Sequence, residues 1–287
     1  MAIRYRFGCH LSYEVKSPTL FVFNIEAARL PRHQNLAEEL VISPDYDRRV
    51  HVVPGSETRY FAVNAKPGPF TLRYQAKVDL DALHKDPAEI AETPVPEIPL
   101  EVLPYLLPSR FVSSDRLASF ALREFGRLDR GFERVTAICN WIYDNIDYKR
   151  GTSDGETTAD ESLLLRAGVC RDFSHIAIAF CRALGIPARY VSAYAFGLAP
   201  PDFHAVFEAY LDGRWWLFDA TRQAALDGLV RIGAGRDAAE IAFASPFGEI
   251  EAGPVEVFIE RIDAPGENAV RTADAISTDD SAPLPGQ

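Results

Sequence analysis

Three residues in the second half of the chain, Cys170, His204 and Asp219, carry side chains that could together run acyl transfer. Cys170 opens a stretch in which Phe173, Ile176, Ala177, Phe180 and Leu184 recur on one helical face, and Gly185 with Pro187 ends it, so the thiol is expected in a helix's first turn. Unpaired backbone amides and the helix dipole at that end favour negative charge, which makes a thiolate available near neutral pH. The thiolate is the nucleophile for amide and ester carbonyls, and the same amides are placed to hold an oxyanion.

Such a nucleophile needs a base that takes the thiol proton and returns it to the departing amine. His204 begins the strand-like run His204-Ala205-Val206-Phe207-Glu208-Ala209-Tyr210, and Asp219 closes the next run, Trp215 to Phe218, after a tight Asp212-Gly213 turn. Opposed residues of a hairpin folded about that turn have index sums near 425, and His204 with Asp219 gives 423. The carboxylate is therefore expected beside the imidazole, where it fixes the tautomer. Each residue alone has a plain structural reading, a small buried thiol or a strand-end polar group. The three roles constrain one another, and the joint arrangement favours chemistry.

Other candidates read as structural. His175 lies five residues beyond Cys170, off the thiol's helical face, and suits a surface or packing role. Cys139 and Cys181 fall on apolar helix faces and are expected to be inert core thiols. Trp141, Trp215 and Trp216 read as core before substrate-stacking residues at the rim of the site, and Asp172 reads as a helix cap before a contact to the site.

The positioning elements follow from periodicity. Residues 1–92 form a β-rich domain, with strands expected at Arg4 to Gly8, Thr19 to Ile25, Arg48 to Val53, Thr58 to Val63 and Phe70 to Val78, a small antiparallel sandwich. A connector at 93–110 contains Pro94, Pro96, Pro99, Pro104 and Pro108. The core is placed at 111–262, with helices over Ser113 to Gly126 and Phe132 to Ile146, and a short one opened by Thr158 and Glu161 as a capping box. Beyond the Cys170 helix come strands at Arg189 to Tyr194, Ala205 to Leu211, Trp215 to Phe218 and Val255 to Ile262. The tail 263–287 is expected to be disordered. Helices followed by antiparallel strands make this an α+β chain.

Composition narrows the function classes. The chain has 287 residues, 47% hydrophobic, and a net charge of −11 with scattered Lys and Arg, so neither nucleic acid nor an anionic membrane is an expected partner. Cys9, Cys139, Cys170 and Cys181 form no C-x-x-C pair, which argues against zinc or a disulfide framework and fits a reducing cytoplasm. No secretory leader, membrane span, cofactor or metal is expected.

The segments Gly168-Val169-Cys170-Arg171-Asp172-Phe173, Leu184-Gly185-Ile186-Pro187-Ala188-Arg189, His204-Ala205 and Trp216-Leu217-Phe218-Asp219-Ala220-Thr221 resemble the transglutaminase-like superfamily over roughly residues 100–262. The resemblance implies a papain-like core of helices on an antiparallel sheet and a Cys170, His204, Asp219 triad. It also implies a β-rich N-terminal domain of the kind that precedes this core in bacterial members. Where many members have an aromatic beyond the histidine and a proline after the aspartate, this chain has Val206 and Ala220. The expected activity is a cysteine-dependent hydrolase or acyl-transferase on peptide or protein substrates through a thioester, with hydrolysis favoured. The rival is a non-catalytic protein-binding module that keeps the fold.

Overall fold

Alternating burial governs the first part of the chain, as a half-buried sheet requires. The computed structural model, which describes residues 2–264 and 272–279, forms strands β1 (Ile3–Val15), β2 (Thr19–Phe23), β3 (His33–Ser43), β4 (Arg48–Val53), β5 (Thr58–Ala65) and β6 (Gly68–Leu80). In β6, Phe70, Leu72, Tyr74, Ala76 and Val78 point into a core that Phe7, Phe21, Phe23 and Phe61 share. The expected sandwich is present, and β3 is an addition to it. Ala37-Glu38-Glu39-Leu40 reads as helix-forming by propensity. The segment is nonetheless a sheet-edge strand, because Leu36, Leu40 and Ile42 can alternate onto the apolar face and Arg59 meets the Glu38 carboxylate.

Strand β7 (Leu83–Lys85) leads into the proline-rich connector, which runs through short 3-10 turns at Val95–Glu97 and Leu103–Leu106. Ile98 and Val102 pack against Tyr210 and Trp215, tying the connector to the back of the core sheet. Helices α1 (Ala118–Phe125) and α2 (Phe132–Asn145) follow, then the two-residue strand β8 (Asp147–Tyr148), α3 (Ala159–Leu165), β9 (Ala167–Gly168) and α4 (Cys170–Ala183). α1 starts later than its periodicity suggested, and Glu161 accepts from the Thr158 amide at 2.8 Å in the expected capping box. Most of α4 is buried: its apolar side chains meet Phe120, Phe125, Val135 and Ile138 on one side and the core sheet on the other.

That sheet is built on β10 (Ala188–Ala195), β11 (Phe203–Leu211), β12 (Arg214–Phe218) and β13 (Leu229–Gly235). The chain then forms β14 (Ala244–Phe247), β15 (Ile250–Arg261) and β16 (Ala275–Ser277). The core sheet has the order β13-β10-β11-β12-β16-β7, with every pair antiparallel. Two expectations need correction. The strand at Val255 to Ile262 does not join the core: β15 pairs with β1, Phe7 opposite Ile259, while β14 pairs with β2. Period-two alternation identifies a strand without naming its sheet, and here the chain returns to the first domain.

The second correction concerns the tail. Residues 275–279 are ordered and buried, with Ile276 between Leu217 and His84 in the sheet. Small and acidic composition suggested disorder, but the buried guanidinium groups of Arg189 and Arg231 both donate to the Asp279 carboxylate, Arg231 at 3.1 Å. Glu208 completes this buried set with both arginines. The remainder of the expected tail, 265–271 and 280–287, lies outside the described residues.

Candidate active site

The start of α4 is fixed by its own third residue. The Asp172 carboxylate, fully buried, accepts the Val169 amide at 2.9 Å and is held by Arg171 at 2.8 Å and by the Ser153 hydroxyl. Capping was the expected role. Gly168 permits it, since a Cβ there would stand 2.6 Å from the Asp172 Cβ. Cys170 thus sits in the first turn, partly exposed, whereas Cys9, Cys139 and Cys181 are buried. Burial pushes the Cys9 thiol up to about 11 and drives Cys139 and Cys181 well above the ordinary range.

His204 lies on β11, opposite Ala193, and is 1% exposed. The hairpin register is Phe207 opposite Phe218, which is the index sum expected from the turn. Asp219 follows directly, and its Oδ2 lies 3.0 Å from His204 Nε2. A tight turn wraps the carboxylate: Oδ1 accepts the Thr221 amide and hydroxyl at 2.9 and 2.6 Å, and Oδ2 accepts the Gln223 and Ala224 amides at 3.1 Å each. Burial alone would push the Asp219 carboxyl up, but His204 and these donors outweigh it and hold it below the usual carboxylate range.

The same contest runs in reverse at His204. Burial, the largest single influence, disfavours the imidazolium. The charge and hydrogen bond of Asp219 and then of Cys170 overcome it, raising the pKa to about 10. Nε2 is engaged by Asp219, and Nδ1 has no hydrogen-bond partner among the described residues, so Nδ1 is the atom left for the thiol. The structure therefore brings the three sequence-selected residues together: Asp219 is bonded to His204, and His204 and Cys170 line the same clefts.

Tyr148 was not singled out by sequence. Its position just after α2 reads as a helix end, and the only local hint is a β-favouring aromatic in a polar stretch. The parallel pairing of Tyr148 with Gly168 sets it beside Cys170, with its ring 5.7 Å from that of Phe173. Burial, followed by the charge of Cys170 and its side-chain hydrogen bond, pushes the phenol up to about 12 against the opposing influence of the Cys170 backbone, so it keeps its proton at neutral pH.

The structural readings of the other candidates agree with their surroundings. His175 is buried, stacked 5.4 Å from Phe111, and its Nε2 accepts the Ala238 amide at 3.2 Å; burial pushes it down to about 3. Trp216 donates to the Leu211 carbonyl, Trp215 packs under Arg189 and Trp141 meets Phe120 edge-on. Among the described residues no group of three or more His, Cys, Asp and Glu could hold a metal, and no helix is long and apolar enough to cross a membrane.

Two clefts of about 480 Å³ each meet at Cys170 and His204. One runs over Phe111, Tyr190 and Ala205, and the other over Tyr148, Leu198 and Gln223. Asp202 and Phe203 border both.

Comparison with known proteins matches both parts of the chain. Residues 121–220 fit the model of the transglutaminase-like superfamily core, and residues 3–99 fit that of the bacterial transglutaminase N-terminal domain. A crystal structure from Cytophaga hutchinsonii, described as a candidate cysteine protease, superposes with a TM-score of 0.91 at 38% identity, over 96% of this chain and 98% of that one. An uncharacterised protein of Mycobacterium leprae is 24% identical over 258 residues, 80% of this chain and 88% of its own. One of Mycobacterium bovis is 35% identical over 124 residues, 38% of this chain and 40% of its own. With a 38% identical relative matched along nearly its whole length and both family models placed on it, the chain belongs to the transglutaminase-like superfamily, as a core joined to a bacterial-type N-terminal β domain.

Proposed function

We propose that the protein is a cysteine peptidase or amidohydrolase that cleaves peptide or protein amides through a thioester on Cys170. The observation that carries this reading is the convergence of a partly exposed helix-start thiol, an imidazole whose Nδ1 has no hydrogen-bond partner among the described residues, and a carboxylate 3.0 Å from Nε2, the thiol and imidazole lining the same two clefts. His204 is held charged beside the thiol, and the reacting form is the pair of a Cys170 thiolate and this imidazolium.

The Cys170 sulfur attacks the amide carbon and forms a C–S bond as the carbonyl electrons move to oxygen. The Cys170 amide at the start of α4 and the Tyr148 hydroxyl, which keeps its proton, stabilise that oxyanion. Imidazolium Nδ1–H delivers its proton to the leaving nitrogen, the C–N bond breaks and the amine departs. Water then gives a proton to Nδ1 while its oxygen attacks the thioester. Expulsion of the thiolate releases the acid and restores the ion pair. Asp219 keeps the ring oriented and offsets its charge throughout.

Hydrolysis is favoured over transfer to an amine. Transfer would need the thioester shielded from water on every side, whereas the cleft rimmed by Arg150, Asp202 and Gln223 also reaches Cys170, and the three tryptophans are engaged elsewhere. The test is peptide mapping after limited iodoacetamide, paired with turnover of fluorogenic peptides by the wild type and Cys170→Ala. Labelling confined at first to Cys170, with turnover lost in the variant, is expected. Preferential labelling of Cys139 or Cys181 would refute the assignment.

A further inference from the structure

The two clefts at Cys170 differ in chemistry. The Tyr148 side is the more polar of the two: Val169, Leu198 and Pro200 line part of it, but its rim carries Gln223 and also Arg150 and Asp202, which face each other at 3.4 Å. The opposite side is lined by Phe111, Tyr190, Phe203, Ile232, Ile241 and Phe243. Small residues leave its space open, among them Ala205 on β11 and Ala238, Ala239 and Ala242 on the loop after β13. Its charged members are all engaged: Arg171 donates to Asp172, Asp202 faces Arg150 and His204 meets Asp219. A charged side chain entering it would find no free counter-ion among the described residues and would lose its hydration.

We propose that this apolar cleft holds a large aliphatic or aromatic side chain of the acyl donor, and that the N-terminal β domain supplies its far wall. The assignment rests on the thioester chemistry proposed above. The acyl donor must stay bound while an amine leaves and water arrives, and the polar cleft is the wetted route for both. The apolar cleft is the one that can hold the acyl group by burial, and about 480 Å³ accommodates a side chain as large as phenylalanine with backbone beside it.

The wall on the β-domain side is Phe243. Its ring stacks on that of Phe203 at 5.0 Å, and its carbonyl accepts the Asn24 amide at 3.1 Å. The next residue, Ala244, opens β14 and pairs with Phe23 of β2. The loop that closes the cleft is thereby hung on the sandwich, next to the residue preceding His204. This gives the first domain a positioning role at the site, transmitted through β2 and β14.

Dipeptidyl chloromethyl ketones, which alkylate an active-site thiol without requiring turnover, test the proposal. Gly, Leu, Phe, Lys or Glu is placed at either position, and Cys170 modification is followed by peptide mapping. Leu or Phe at one position is expected to accelerate modification at least 10-fold over Gly, Lys or Glu, equivalent to about 1.4 kcal/mol. Ala242→Trp, which fills the cleft at a partly exposed loop position, is expected to reduce that preference below about threefold. Its fold is checked by circular dichroism and melting, and Phe243→Ala serves as a second variant that opens the wall and should weaken the preference for Leu and Phe alike. Rates independent of side chain, or an unchanged preference in both variants, would overturn the proposal while leaving a reactive Cys170 intact. Absence of Cys170 modification by these ketones and by iodoacetamide would remove the thioester reading and the cleft assignment together.

Discussion

Replacing Asp219 by Asn probes the most enclosed charge of the site. The carboxylate accepts from His204 Nε2, from the Thr221 amide and hydroxyl, and from the Gln223 and Ala224 amides. With the asparagine oxygen at the Oδ2 position, His204, Gln223 and Ala224 keep their acceptor, and the NH2 group faces the Thr221 amide, donor against donor. The reverse orientation strands two backbone amides. The cheaper choice therefore leaves one buried N–H unsatisfied, a loss of about 1–3 kcal/mol and several degrees of melting temperature. The functional loss is larger. In the wild type, burial pushes the imidazole down while Asp219 and Cys170 raise it to about 10. The charged imidazole thus contributes stability that is complete below the unfolded value of about 6.5 and fades as pH rises through about 10. Without the carboxylate, burial is opposed by Cys170 alone and the imidazolium becomes scarce at neutral pH. We expect kcat/KM on a fluorogenic peptide to fall by ~10²–10⁴ at neutral pH, with the alkaline limb of the pH profile moving from near 10 to below neutral. Activity within threefold of wild type, ~0.65 kcal/mol, with the alkaline limb in place, would refute the role given to Asp219.

Tyr148→Phe removes one oxyanion donor and is expected to lower kcat by ~10²–10³ with KM little changed; stopped-flow acylation that matches wild type would remove Tyr148 from the mechanism. Gly168→Ala places a Cβ 2.6 Å from the Asp172 Cβ, so it should displace the cap of α4, cost about 1–3 kcal/mol in urea unfolding and slow Cys170 alkylation. An unchanged alkylation rate would show that the cap does not set the thiol. Asp279→Ala leaves Arg189 and Arg231 with Glu208 as their remaining buried carboxylate and should destabilise the fold by about 3–5 kcal/mol. A melting temperature within a degree or two of wild type would deny the tail segment its clamping role.

The placement of the candidate site was legible in sequence because its three positions rest on local rules. A helix start, a two-residue hairpin turn and an index sum locate Cys170, His204 and Asp219, and none requires knowledge of the rest of the fold. Tyr148 escaped because its place beside Cys170 depends on a two-residue parallel bridge to Gly168, which has no periodicity to read. β15 reads as a strand from Val255 on and β14 does not read as one; their partners β1 and β2 lie more than two hundred residues away in sequence, and alternation carries no partner information. The tail strand β16 failed for a different reason. Three residues of sheet are too short for a pattern, and the burial of Asp279 is driven by arginines elsewhere in the chain.

The two buried histidines show which physical influence decides protonation here. His175 and His204 are both enclosed, and burial is the largest influence on each. At His175 the nearest polar contact to Nε2 is a backbone amide that donates to it, which requires the neutral ring, and burial prevails, pushing the pKa down to about 3. At His204 the corresponding position is a carboxylate at 3.0 Å, already satisfied by four other donors, and the ring is held charged. Desolvation is common to both positions, so the difference comes from the neighbouring charges: Asp219 first and then Cys170 raise His204, whereas at His175 Arg171 and Arg182 oppose Asp237 and Asp172. The turn that wraps Asp219 therefore acts on chemistry at one remove. By supplying the donors that keep the carboxylate ionised in a dry site, it keeps the imidazole charged, and a charged imidazole beside the thiol is what can protonate a departing amine.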